Sequence, residues 1–377
     1  MKFSTLIARI LVGTLFIFSG FIKANDPLGF SYKLQEYFEV FNMNWMVPAA
    51  LTLAVFICVF EIIVGFALLL GARVRLTLSL LSLMMVFFTF LTFYSAYYNK
   101  VTSCGCFGDA IPLTPWQSFY KDIVLSILTL ILIIGRSTIH PAFGPGMEKL
   151  SLGLFTAASI AFPFYTCTHL PLIDFRPYKI GTNLYNASPE HIKVKFFYTL
   201  KNKKSGKTEE FDHFPPNWDA EWELITDKTR TEPLNKSIKP IEHFEMQSEN
   251  GDDHRDELIT LKGCSFILVE YSLDHSNRSI QGALSDFAQL CRSDSISFVA
   301  LTTSPIEKIK SFKKEVNATY DFYQSPDDVP LKAMIRSNPG LVMLKDSVVT
   351  AMWPFRNLPS YTDIKAKYFK GIGKIHT

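Results

Sequence analysis

Five apolar stretches dominate the first 168 residues of this 377-residue chain: 6–22, 48–70, 74–97, 116–134 and 150–168. A hydrocarbon core is spanned by about 20 helical residues. A backbone in lipid must satisfy its own hydrogen bonds, which here leaves helices as the available structure. The fifth stretch is the most dilute, with Ser, Thr, Pro163 and Cys167 in it; an interfacial helix is its alternative reading. The first has the basic flank and apolar middle of a signal peptide. Phe21-Ile22-Lys23 runs on where a small-x-small cleavage site belongs, so a retained span is expected. Beyond the fifth stretch the chain carries most of its Lys, Asp and Glu. The expected fold class is therefore multi-domain: an all-α transmembrane bundle, then a soluble α/β part. The net charge of +3 gives no support for nucleic-acid binding.

Orientation follows from the basic residues at the span ends. Arg73 and Arg75 occupy the tight turn between the second and third spans, and Lys2, Arg9, Arg136 and Lys149 fall on the same side. Lys23, Lys33, Lys100 and Lys121 fall on the other, diluted by Asp26, Glu36, Glu39, Asp109 and Asp122. The expectation is a cytoplasmic N-terminus and a periplasmic C-terminal domain, in a multi-pass protein of a bacterial inner membrane.

The loop between the third and fourth spans reads Cys104-Gly105-Cys106-Phe107-Gly108-Asp109. Two thiols one residue apart, with glycines for tight turns, suit thiol–disulfide chemistry. A ring so small is expected to be strained, and strain makes a disulfide easier to reduce. A structural clip is the alternative. The predicted orientation puts this loop where disulfides form and persist.

These residues carry a resemblance. Arg9-Ile10-Leu11-Val12-Gly13, Phe18-Ser19-Gly20-Phe21-Ile22-Lys23, Glu61 with Gly65 and Leu68-Leu69-Leu70-Gly71, the hexapeptide, Trp116 and Lys121-Asp122 resemble the MauE/DoxX family of bacterial inner-membrane proteins. The resemblance covers roughly the first 135 residues. It implies a four-helix membrane bundle with an outward redox loop. The MauE branch is associated with methylamine utilisation and implicated in maturing a disulfide-rich protein outside the cytoplasm. A fifth span and a long soluble tail depart from the family.

The soluble part starts from a proline-spaced tether, 169–179, expected to stay extended. Short strands are expected at 192–200 and 222–226, around polar turns such as Lys203-Lys204-Ser205-Gly206. The pattern then becomes strand 265–273, helix 280–291, strand 296–302 and helix 305–316. A hairpin of 340–344 and 348–352 turns at Asp346-Ser347. This order resembles a thioredoxin-like domain over 238–359, with Asn338-Pro339 at that family's cis-proline position. Its Cys-x-x-Cys is absent; Asp274-His275-Ser276-Asn277 stands there. The division expected is 1–140 (bundle), 141–180 (fifth span and tether), 181–237 (β-rich insertion) and 238–377 (thioredoxin-like).

Other candidates are weighed against plain packing. Cys167, at the end of the fifth span, is a possible resolving thiol or a small apolar residue. Cys58 shares a helix face with Glu61, and core packing explains it. Glu61 lies within a span, where an ionisable group is costly; it either stays protonated or pairs with Arg9, for helix packing or for proton or quinone handling. Cys264 and Cys291, at a strand start and a helix end, are a possible structural disulfide or two unpaired thiols. Phe87, Phe88, Phe90, Phe93, Tyr94, Tyr97 and Tyr98 read as lipid-facing and interfacial aromatics. No zinc spacing is present, no cofactor motif is evident, and a quinone has no residue pattern behind it. The expected function is thiol–disulfide exchange supporting exported proteins, with Cys104 or Cys106 attacking and a periplasmic client or redox partner. The rivals are a non-catalytic envelope scaffold and, with only Glu61 and Arg9 behind it, a small-molecule transporter.

Overall fold

The computed structural model describes residues 2–101, 105–216, 218–235 and 240–369. Helices long and apolar enough to cross a membrane occupy Lys2–Asn25, Asn44–Leu70, Val74–Tyr98, Pro115–Ile134 and Pro145–Thr168. This is a multi-pass membrane protein, with the five spans expected. Contacts divide the chain into two units. The first comprises Met1–Arg176 with Ile335–Ser337 and Trp353–Leu358; the second comprises Pro177–Met334, Asn338–Met352 and the residues from Pro359 onward.

Within the first unit the helices are α1 (Lys2–Asn25), α2 (Pro27–Val40), α3 (Ala50–Leu70), α4 (Val74–Tyr98), α5 (Pro115–Ile134) and α6 (Pro145–Thr168). Helix α2 is an element the apolar runs do not announce. Asp26 starts it, accepting the Gly29 amide at 2.9 Å, with Pro27 at its first turn. Its 14 residues are too short and too polar to span. Helix α3 stops at Gly71, whose φ of +69° suits a residue without Cβ. Helix α5 starts in a capping box: Thr114 Oγ1 accepts the Gln117 amide, and Gln117 Oε1 accepts the Thr114 amide.

Helices α1 and α3 meet along a line of glycines. Gly13 faces Gly65 and Leu69, while Gly20 faces Cys58 and Ile62, so the two helices run antiparallel. A Cβ on Gly65 would stand 2.8 Å from the Gly13 carbonyl oxygen. Small residues of this kind let helices close up in lipid, where the hydrophobic effect does not drive them together. Val12, Phe16, Leu68, Leu81 and Leu132 fill the centre of the bundle. Helix α6 lies against α3 and α1; Phe155 stacks on Phe66 at 3.8 Å, and Thr166 Oγ1 donates to the Ala24 carbonyl at 2.7 Å.

Among the described residues the second unit holds two sheets. In the first, long β1 (Val194–Asn202) pairs antiparallel with β2 (Thr208–Phe211), β3 (Trp222–Leu224) and β4 (Arg230–Pro233). The second is a five-stranded mixed sheet ordered β7-β6-β5-β8-β9. Its strands are β5 (Cys264–Val269), β6 (Ser297–Thr302), β7 (Asp321–Gln324), β8 (Gly340–Lys345) and β9 (Val348–Pro354). β5, β6 and β7 are parallel, and β8 runs antiparallel to β5. Every residue of β5 is buried, as a central strand covered on both faces requires. Asp346 and Ser347, both at positive φ, make the two-residue turn between β8 and β9. The Asn338–Pro339 peptide bond is cis and directly precedes β8. A membrane bundle followed by an α/β region of thioredoxin-like type accounts for these elements.

Candidate functional site

The cysteine loop is built as a tight turn seated on the helices. Gly105 and Gly108 adopt φ of +71° and +49°, and the Gly108 amide donates to the Gly105 carbonyl at 3.2 Å. Phe107 is buried against Phe18, with ring centroids 5.9 Å apart. Cys104 lies outside the described residues. Cys106 is 9 % exposed. An attacking thiol needs access, and Cys106 has little of it here.

Beneath Cys106 is a small cavity of about 20 Å³, room for a water molecule or two. It is lined by Cys106, Ser19, Lys23, Glu61, Lys121 and Asp122 among apolar neighbours. The Lys23 ammonium bonds Glu61 Oε2 at 2.6 Å and Oε1 at 2.8 Å, and both side chains are almost fully buried. Rings of Phe30 and Phe88 lie 5.5 and 5.8 Å from the same ammonium. Ser19 Oγ accepts from Lys23 at 2.6 Å and stands 3.0 Å from both Glu61 Oε2 and the Cys106 carbonyl oxygen. Its single proton is shared between those two acceptors. On the opposite wall Lys121 pairs with Asp122 at 2.8 Å, and Asp122 also accepts from Thr92 Oγ1 at 2.9 Å. Lys121 lies 5.3 Å from the Phe107 ring. Two cations and two anions thus face one thiol-bearing loop in a setting of low dielectric.

The expected Arg9–Glu61 pair does not form. The antiparallel register places Glu61 opposite Gly20 and Arg9 opposite the last turn of α3. Arg9 there donates to the Leu68 and Leu69 carbonyls at 2.9 and 2.6 Å, a favourable site for a cation at a helix C-terminus. Lys23, assigned by sequence only to the charge count at a span end, is the partner that was missed. The signal was available, since an antiparallel neighbour brings residues near 20, not near 9, against position 61. Phe88 also departs from the lipid-facing set by turning into the cavity, whereas Phe87, Phe90, Phe93, Tyr97 and Tyr98 are exposed on the bundle surface.

Cys58 is fully buried behind Lys23 and Glu61. Cys167, in the last turn of α6, is half-buried. A further group reaches the loop from far along the chain. Arg336 is 7 % exposed, and its guanidinium lies 2.9 Å from Asp26 and 3.6 Å from Asp109. Burial raises the Asp109 carboxyl above its ordinary value, against the pull of Arg336. Arg336 is 310 positions from Asp26, and no local pattern announces the contact.

In the second unit the stretch Asp274-His275-Ser276-Asn277 serves a buried carboxyl instead of a dithiol. Ser276 Oγ and Gln281 Nε2 donate to Glu270 Oε1 at 2.8 and 2.6 Å, and the Tyr320 hydroxyl donates to Gln281 Oε1 at 2.7 Å. Burial pushes the Glu270 carboxyl up despite those two donors. Cys264 and Cys291 are both buried free thiols, so the bridge weighed for them is replaced by packing around Tyr361, which lies near both. Among the described residues no group of three or more His, Cys, Asp or Glu side chains is placed to hold a metal ion.

Comparison with known proteins adds two findings. Residues 1–135 match the family described as "Methylamine utilisation protein MauE". "Protein TlpB" of Flavobacterium psychrophilum is 27 % identical over 186 residues, 48 % of this chain and 47 % of the relative. The matched stretch thus spans about half the length of that curated relative.

Proposed function

We propose that this membrane protein, MauE-like over residues 1–135, exchanges thiols and disulfides at the outer face of a bacterial inner membrane and supports the maturation or protection of exported proteins. The observation that carries the reading is the Cys106 end of the loop seated over a buried ion pair, Lys23–Glu61, and a second, partly exposed pair, Lys121–Asp122. A strongly electrostatic, water-poor environment is what tunes a thiol for exchange. Arg73 in the α3–α4 turn and Arg75 at the start of α4 support a cytoplasmic position for that turn, which puts the loop on the other side.

The burial of Cys106 suits it to the resolving role. Cys104 is the attacking thiolate: its sulfur bonds one sulfur of a client disulfide, and the other client sulfur leaves as a thiolate. Cys106, held against the bundle, then attacks the Cys104 sulfur. That closes Cys104–Cys106 and releases the client dithiol, so two electrons pass from loop to client. An external dithiol resets the loop by the same steps in reverse. The soluble unit, without a dithiol at Asp274-His275-Ser276-Asn277, holds the client or partner.

Redox titration of the full-length protein against glutathione tests the reading. A Cys104–Cys106 potential in the glutathione range supports exchange; one far below it means a structural clip and favours the scaffold reading. Replacing Cys106 with Ser should freeze a mixed disulfide at Cys104, whose mass identifies the client. A reporter fused after Tyr178 should read periplasmic and one after Arg75 cytoplasmic; the reverse would remove the compartment the chemistry needs.

A further inference from the structure

We propose that Ser19, Lys23 and Glu61 form a positioning device for Cys106, fixing its backbone and setting the charge its thiol faces. The inference rests on the exchange reading above and goes beyond it by assigning the membrane-embedded ion pair a role in the chemistry. Burying a lysine and a glutamate in a bundle is a poor way to gain stability, because desolvation consumes the Coulombic gain. The pair here is not confined to packing α1 on α3. Ser19 accepts from Lys23 and lies 3.0 Å from both Glu61 and the Cys106 carbonyl, so one hydroxyl joins the ion pair to the cysteine backbone. Cys106 lines the same small cavity as Lys23 and Glu61.

The charges that line the cavity with Cys106 are balanced. Lys23 on α1 offsets Glu61 on α3, and Lys121 offsets Asp122 on α5. Outside the cavity, Asp109 on the loop and Asp26 both face Arg336, and Lys33 on α2, paired with Glu36, has its stem beside Gly105. Deleting one member therefore leaves one unbalanced charge near Cys106, and its sign depends on which member is removed. A residual cation favours the thiolate; a residual anion opposes it. A role confined to helix packing predicts no such reversal, since either deletion loosens the same contact.

The experiment uses full-length protein in detergent, reduced and pulsed with iodoacetamide at pH 7 and across a pH series. Fragmentation mass spectrometry separates Cys106 from Cys104, Cys58 and Cys167. Glu61→Gln should speed Cys106 labelling, and Lys23→Met should slow it, each by about threefold or more. The double variant should return near wild type. Ser19→Ala should shift the loop toward the dithiol by up to about tenfold, ~30 mV for a two-electron couple, because an unanchored Cys106 has a lower effective concentration at Cys104. Ser19→Thr should restore it. Labelling rates that move in the same direction in both single variants, or do not move, overturn the proposal. If a single charge variant fails to fold, the comparison of Ser19→Ala with Ser19→Thr decides, and an unmoved potential in Ser19→Ala counts against the device. A wild-type potential far below the glutathione range would end the exchange reading alone. A glutathione-range potential with unmoved variants would end this inference alone.

Discussion

Adding one methyl group at Gly65 should separate the two helices that carry the buried ion pair. The new Cβ would stand 2.8 Å from the Gly13 carbonyl oxygen, 3.0 Å from the Ile17 amide nitrogen and 3.0 Å from Ile17 Cγ1. Two of these neighbours are backbone, which cannot rotate away, so α1 and α3 must part by several tenths of an ångström. Overpacking of this kind costs about 1–3 kcal/mol. At roughly 2–4 °C per kcal/mol for a unit of this size, Gly65→Ala should melt about 2–12 °C below wild type. The assay is far-ultraviolet circular dichroism of the full-length protein in detergent, followed through thermal unfolding. Gly153 on α6 supplies the control, since a Cβ there meets nothing within 4 Å. Gly153→Ala should hold or raise the melting temperature by virtue of alanine's better helix propensity. If Gly65→Ala melted at or above wild type while Gly153→Ala fell, the glycine line would not be what holds α1 to α3.

Lys23→Met alone leaves Glu61 buried without its cation and should cost about 3–5 kcal/mol in the same melt, whereas Lys23→Met with Glu61→Leu should recover most of it; equal losses in the single and double variants would refute this. Burial holds the Glu270 carboxyl above its ordinary value of 4.5, so the folded protein keeps a proton that the unfolded chain releases. Stability of the second unit should therefore fall as pH rises from 4.5 to the folded value and stay level beyond it. Glu270→Gln should remove that slope and melt higher at pH 7, and an unchanged slope would show that another group sets it. Burial pushes the Cys291 thiol up to about 12, so this residue should resist alkylation at pH 7.5 until the second unit unfolds; rapid labelling in the native protein would contradict the buried placement.

The spans were legible because their signal is one-dimensional: length and apolarity decide whether a helix can cross lipid. The β8–β9 hairpin was legible for a similar reason, since Asp346-Ser347 between two apolar runs carries its own turn chemistry. What could not be read locally was the pairing of elements. Arg9 and Lys23 lie on one helix, and choosing between them as partner to Glu61 requires the register of α1 against α3, which the glycines set. Helix α2 escaped notice because its apolar face is short and its start rests on a single aspartate cap. Arg336 was beyond reach altogether: its two carboxylate partners precede it by more than half the chain, and a basic residue in a loop looks the same whether solvated or buried. The acid at Glu270 was closer to view, since it directly follows the apolar run Phe266–Val269 within the expected strand 265–273.

The cross-helix neutralisation of Lys23 by Glu61 also constrains how the nascent chain enters its membrane. A charged side chain at the middle of a lone helix raises the insertion free energy by about 2.5–3.5 kcal/mol. Lys23, near the end of α1, can escape that cost by reaching for the headgroups. Glu61, in the interior of a 21-residue helix, cannot. Helix α3 therefore inserts at least cost when α1 is still beside it, so that carboxylate and ammonium leave the aqueous channel together. The first two spans then partition as one hairpin, with the intervening α2 left at the surface, and release of α1 into lipid before α3 is synthesised would strand the acid.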